Sequence, residues 1–181
     1  MYKNIIRLLT LIVCFLSFVG SVSAVSLSEL QSSSQYVRVG SMNDGDAYLN
    51  VNSIQSLRYA PPFYTLKYTV YYVSYSDDLI VESEEISSYD YNYSYEGLIK
   101  KHNLTKSGSE QKLKSDITKL KQQNSGIEGG SRYLRIYDVN GNLLDDFSDQ
   151  YGGYEPNKNS FLTIGYDIVE AAFYKAYNLR F

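Results

Sequence analysis

Cysteine, histidine, tryptophan and proline are scarce in this 181-residue chain: one Cys, one His, no Trp and three Pro. The lone cysteine, Cys14, sits in an N-terminal apolar run, so the rest of the chain has no thiol for a disulfide or a thiolate metal site. With His102 as the single histidine, a histidine zinc site, a Ser-His-Asp triad and a paired haem ligand set are hard to assemble. No glycine-rich phosphate loop is present. The acid pairs Glu84-Glu85 and Asp145-Asp146 are adjacent in sequence. Neighbouring residues of a strand point to opposite faces, so such pairs are poor acid/base partners. The expectation is a non-enzyme with no cofactor and no metal. A long apolar run is also missing. Residues 5–19 are broken by Arg7, Thr10 and Ser17, short of the roughly 20 apolar residues a spanning helix needs.

That run has a different reading. Lys3 and Arg7 supply positive charge, the apolar stretch follows, and Val22 and Ala24 stand at the −3 and −1 positions before Val25. This is the order of a cleavable secretory signal peptide over residues 1–24. The residues before Cys14 are Leu11-Ile12-Val13, with no small residue next to it, which argues against lipid attachment. Export places the protein in the periplasm, at the cell surface or outside. Cleavage of 24 residues from 181 leaves 157, enough for one core. Losing Lys3 and Arg7 takes the basic count from 17 to 15 against 20 acids, a net charge of −5. That balance argues against generic nucleic-acid binding.

Tyrosine is abundant, with 20 in the chain. It favours strands and carries a polar tip on an apolar body, so it serves half-buried sheets and contact surfaces alike. Residues 25–35 are Ser-rich and predict a flexible leader. A short strand follows at 36–39, a turn at 42–46 around Asp44-Gly45, and a second strand at 47–51. Residues 52–62, ending in Pro61-Pro62, predict a loop. Residues 63–75 give the best strand signal, with Tyr64, Leu66, Tyr68, Val70 and Tyr72 on the core face. The opposite face mixes polar and aromatic groups and is expected to be only partly covered. Residues 79–95 return as another strand or pair of strands. There Tyr89, Tyr91, Tyr93 and Tyr95 alternate with polar residues, as in an antiparallel sheet with one wet face.

Composition changes at 99–126. Seven lysines fall between positions 99 and 121, and Leu113, Ile117 and Leu120 keep helical spacing. This is a short basic amphipathic helix inserted in a β-rich chain. Lys112, Lys114, Lys119 and Lys121 are candidates for a contact patch toward sulfated glycans, acidic proteins or anionic lipid. Asn140-Gly141 then predicts a type I′ hairpin joining strands at 133–137 and 143–147. Asp138, Asn140 and Asn142 resemble the start of a calcium loop. Gly141 falls at loop position 4 where position 6 is needed, and Asp149 holds the place of the closing glutamate, so a plain hairpin is expected. Residues 152–160 form a loop, and 164–177 a final helix with an apolar stripe of Ile164, Ile168, Ala171 and Ala172. The class is α+β: an antiparallel sheet of about six strands, a C-terminal helix on one face and an inserted basic helix.

The motif order resembles the bacterial surface-adhesin protein E family. The matching pieces are Tyr36-Val37-Arg38-Val39-Gly40, Asp44-Gly45-Asp46-Ala47-Tyr48-Leu49-Asn50, Ser53-Ile54, the strand at 66–73, Tyr137-Asp138-Val139-Asn140-Gly141-Asn142 and the closing helix at 168–177. Together they cover 36–96 and 131–178, within one domain at 36–181. The resemblance implies a sheet with a packed C-terminal helix and a surface role that includes binding matrix or serum proteins. Members of that family commonly carry cysteines tying the closing helix to the sheet, which this chain lacks. The expectation is an exported adhesin-like module with Tyr89, Tyr91, Tyr93, Tyr95 or the four lysines as contact groups. The alternative is a structural envelope protein that self-associates as a homo-oligomer.

Overall fold

A computed structural model of the chain describes residues 25–104, 109–150, 152–157 and 160–181. The expected signal peptide, 1–24, lies outside the described residues. Helix α1 is Leu27–Ser32, followed by strands β1 Tyr36–Met42, β2 Gly45–Ala60, β3 Phe63–Ser74 and β4 Leu79–Asp90. A 3₁₀ turn, Tyr91–Tyr93, leads to α2 Tyr95–Lys101 and α3 Glu110–Gln123. Strands β5 Ile127–Asp138, β6 Leu143–Asp146 and β7 Glu155–Asn157 precede α4 Ile164–Tyr177. The fold is α+β. The strands run antiparallel in the order β1-β2-β3-β4-β5-β6, and β7 also pairs with β5.

Helix α4 lies across β1, β2 and β3. Thr163 caps its start by accepting the Tyr166 N–H, and Asn178 ends it in the left-handed region at φ 54°. Its apolar stripe puts Ile168, Val169, Ala172 and Phe173 against Ala47, Leu49, Tyr64, Leu66, Tyr68, Val70 and Tyr89. Close approach needs small residues at the contact. A Cβ on Gly40 of β1 would stand 3.1 Å from Ile164 Cδ1. Each large side chain taken out of water here contributes about 1.5–3 kcal/mol. Two of these tyrosines satisfy their hydroxyls inside the core: Tyr68 bonds Ser87 Oγ at 2.9 Å and Tyr89 donates to the Val169 carbonyl at 2.9 Å.

The sequence reading fails in five places. The expected leader at 25–35 holds the capped helix α1, and Val25 before it and Leu30 within it are buried against Tyr36, Tyr48, Tyr71, Val73, Ile80 and Tyr137. Two apolar residues at the right positions outweigh the serines around them. The expected loop at 52–60 is the second half of β2. The register shifts between Asn50 and Gln55, and Ser53 Oγ bridges the gap, donating to the Asn50 carbonyl and accepting the Thr69 N–H. A polar run that reads as a turn is therefore a bulge that lets the strand resume. The expected strand beyond Tyr89 ends at Asp90, whose carboxylate takes the Asn92 N–H, and Ser94 then caps α2 through the Gly97 N–H. At the β5–β6 connection only Gly141 has positive φ (93°), and the Asp138 carboxylate accepts N–H groups of Asn140 and Asn142. The turn is organised by that aspartate and is not type I′. The loop at 152–160 also contributes β7 to the edge of β5.

Candidate binding face

The eight residues expected to make contacts do not form one surface. Tyr89 is 2% exposed in the helix-side core. Tyr91 and Tyr93 leave the sheet at the 3₁₀ turn and pack partly buried against that core, while Tyr95 opens α2 and is exposed. Period-two alternation holds only while the backbone stays extended, and it stops at Asp90.

The lysines divide as well. Seven residues of helix are nearly two turns, so Lys112 shares a face with Lys119, and Lys114 shares one with Lys121. Lys112, Lys114 and Lys119 are exposed. Lys121 is 4% exposed. Its Nζ donates to Tyr166 Oη and to the Phe181 main-chain oxygen, and the rings of Phe181, Tyr166 and Phe161 stand 5.0, 5.2 and 5.7 Å away. Burial lowers its amine to about 8, with the charge of Glu170 working the other way. Lys121 therefore fastens α3 to α4 and the C-terminal residues. It makes no outward contact, and nothing local in the sequence separates it from the three exposed lysines. A cavity of about 540 Å³ beside it is also lined by Lys114, Tyr95 and Arg180.

The more coherent surface is the side of the sheet away from α4. Alternation and register bring Phe63, Thr65, Lys67 and Thr69 of β3 beside Asp90, Ser88, Ile86 and Glu84 of β4, and these beside Glu128, Gly130 and Arg132 of β5. Helix α1 covers one end of this side, at Tyr71, Val73 and Ile80. Beyond it the side chains are mostly polar, with Phe63 and Ile86 among them, and are partly or fully exposed, while Gly130 is buried. Glu84 is the hub: Lys67 Nζ stands 3.2 Å and Arg132 2.8 Å from its carboxylate, and Tyr154 Oη donates to it at 2.7 Å. Burial alone raises the Glu84 carboxyl, but the bonds from Tyr154 and Lys67 and the Arg132 charge outweigh it and hold it below its ordinary value. Tyr154 gains its place because Gly130 has no side chain. A Cβ there would stand 2.8 Å from Tyr154 Cβ.

A groove of about 340 Å³ opens at the far end of the same face, lined among others by Arg58, Phe63, Thr65, Ser88, Asp90 and Glu128. The Arg58 guanidinium stands 5.3 Å from the Phe63 ring centre, and Thr65 and Ser88 hydroxyls meet at 3.1 Å. Tyr93 closes one wall over Gly126, whose φ is 74° and whose added Cβ would fall 2.3 Å from Tyr93 Cβ. Sequence reasoning marked this face as partly covered but did not find the groove, because Arg58 lies in the segment expected as loop and Glu128 beyond the basic helix.

Glu84 and Glu85 diverge as strand geometry requires. Glu85 points to the opposite side, where it is 3% exposed and accepts the Tyr72 hydroxyl; burial pushes its carboxyl up. His102 ends α2 as its C-cap. Among the described residues no group of three or more His, Cys, Asp or Glu side chains is arranged to hold a metal ion. No family model, no curated protein and no solved structure matches the chain.

Proposed function

We propose that this chain is an exported, adhesin-like binding module that contacts its partner through the open face of β3–β5. The observation that carries the reading is the asymmetry of the sheet. One side is packed under α4, while the other keeps an ordered polar and aromatic surface that no described element covers beyond α1. The signal-peptide pattern at 1–24 and the resemblance to surface-adhesin protein E support the same reading, with matrix or serum proteins or glycans as partners. The test is binding of purified 25–181 to immobilised matrix proteins, serum proteins and heparin at two salt concentrations, with Ser88→Arg as the face-blocking variant. Ser88 is exposed in the middle of the face, so a long charged side chain obstructs contact without entering the core. Saturable binding that Ser88→Arg abolishes is the expected result. Binding that survives it but is lost on Lys112→Glu with Lys119→Glu would move the contact to α3.

One observation favours self-association as a second reading. Strand β1 pairs with β2 only as far as Asn50. Among the described residues no strand pairs with the outer edge of β2 past residue 51, and that edge exposes Leu57 and Tyr59 at 52% and 66%. Unpaired edges are templates for strand addition. A dimer in light scattering that Leu57→Asp dissociates would favour this reading, and a strict monomer at high concentration would remove it.

A further inference from the structure

We infer that the groove at the Phe63 end of the open face takes a neutral oligosaccharide. This rests on the binding-module reading and names the partner of the same face.

Charge selects the class of ligand. Lys67 and Arg132 share Glu84, and Arg135 pairs with Glu82 and Asp146, so these three cations are matched in number by three acids of the same sheet and leave no net positive charge. The groove holds Arg58 as its one cation against two carboxylates, Asp90 and Glu128. An anionic chain such as a sulfated glycan meets net repulsion there. A nucleic acid is disfavoured for the same reason.

Shape and hydrogen bonding select further. A pyranose offers a flat C–H face and a rim of hydroxyls that donate and accept at once. It needs an aromatic or planar surface beneath it and fixed polar groups around it. Phe63 is 43% exposed with the planar Arg58 guanidinium against its ring, which supplies the surface. Thr65 and Ser88 supply hydroxyls that currently bond only each other across the strands. The Glu128 side chain is exposed and makes no hydrogen bond or ion pair among the described residues, so it stands as a free acceptor for a hydroxyl pair. Asp90 is different: its carboxylate is spent on Asn92 and shapes the wall.

The face also has length. From the Phe63–Asp90 row to the Ile86–Gly130 row, where Tyr154 lies, is four residues of strand, about 14 Å at the usual rise. Tyr154 is 36% exposed, with the Arg132 guanidinium 5.6 Å from its ring. The face thus carries a similar aromatic-arginine pair at either end of a polar track, an arrangement that accommodates a chain of several sugar rings and not a single one.

The experiment is a screen of 25–181 against an array of neutral and sulfated oligosaccharides, followed by calorimetric titration of the best neutral binder at low and high salt. The same titration is run on Phe63→Ala and Glu128→Gln, both at exposed side chains, with melting curves as the folding control. The expected result is neutral-oligosaccharide binding with little salt dependence, weakened about tenfold or more by each substitution. Preference for sulfated chains, or neutral binding that neither substitution weakens, overturns the inference. Binding of a matrix or serum protein with no sugar bound at all overturns the inference and leaves the binding-module reading standing. Binding of nothing overturns both.

Discussion

The two sides of the sheet use the same residue types to different ends. On the helix side, Tyr64, Tyr68 and Tyr89 are turned into core. The Tyr64 ring meets Phe173 and Tyr177 at 5.2 and 5.0 Å, the Tyr89 ring meets Phe173 and Phe181 at 4.8 and 5.6 Å, and the Tyr68 hydroxyl bonds Ser87. On the other side, Phe63 and Tyr154 lie open beside arginines. The difference is not composition but cover. A fourteen-residue helix, Ile164–Tyr177, spans three strands, whereas the six residues Leu27–Ser32 span only one end. Tyrosine suits both places because its ring buries as well as phenylalanine while its hydroxyl bonds wherever a partner is fixed. Tyrosine richness therefore does not by itself mark a contact surface: among the described residues eight tyrosines are buried.

The sharpest way to break this comparison is to empty the helix-side core. Phe173→Ala is expected to cost about 3–5 kcal/mol in denaturant unfolding, because a buried aromatic at the centre of that cluster leaves a cavity its neighbours cannot fill. A cost near that of a surface substitution would mean that α4 does not seal the sheet. The covered end of the open side comes next. Leu30→Ala is expected to cost about 2–3 kcal/mol, where a flexible leader would show no loss. Circular dichroism should keep its strand signal, since Leu30 packs on one end only.

The smallest effect concerns the clasp that holds α3. The Lys121 amine titrates at about 8 in the folded chain and near 10.5 when unfolded. Between those values the unfolded chain binds more protons, so this group's contribution to stability rises with pH across that window. Urea midpoints of the parent should gain on those of Lys121→Met between pH 7 and pH 10, by on the order of 1–2 kcal/mol. Burial raises the pKa of tyrosines such as Tyr68 and Tyr89, so they act in the opposite direction above pH 10. The difference between parent and variant cancels them. Parallel pH profiles would show that Lys121 is solvated and the clasp open.

Much of the fold was legible. The strand at 63–75, the returning strand after Asp77-Asp78, the hairpin after 133 and the closing helix at 164–177 all lie where periodicity places them, the helix to the residue. What misled was polar content at positions where the chain supplies its own substitute bonds. Ser53 replaces ladder bonds at the bulge in β2, and Asp90 and Ser94 replace them where the alternation runs on in sequence. Of the expected contact residues, Tyr95, Lys112, Lys114 and Lys119 are exposed, while Tyr89 and Lys121 are interior. The groove was not legible because its walls come from β2, β3, β4, β5 and the turn after β4, segments up to seventy residues apart.

By itself the amino-acid order determined the alternation that makes strands and the spacing that makes helices, since each depends on neighbours within a few positions. Only the tertiary structure decided which side of the sheet is covered, which lysine is interior and which carboxylate is free. Cover is set by how far a helix reaches across several strands. The state of Lys121 is set by rings at positions 161, 166 and 181 that meet it only once α4 has docked.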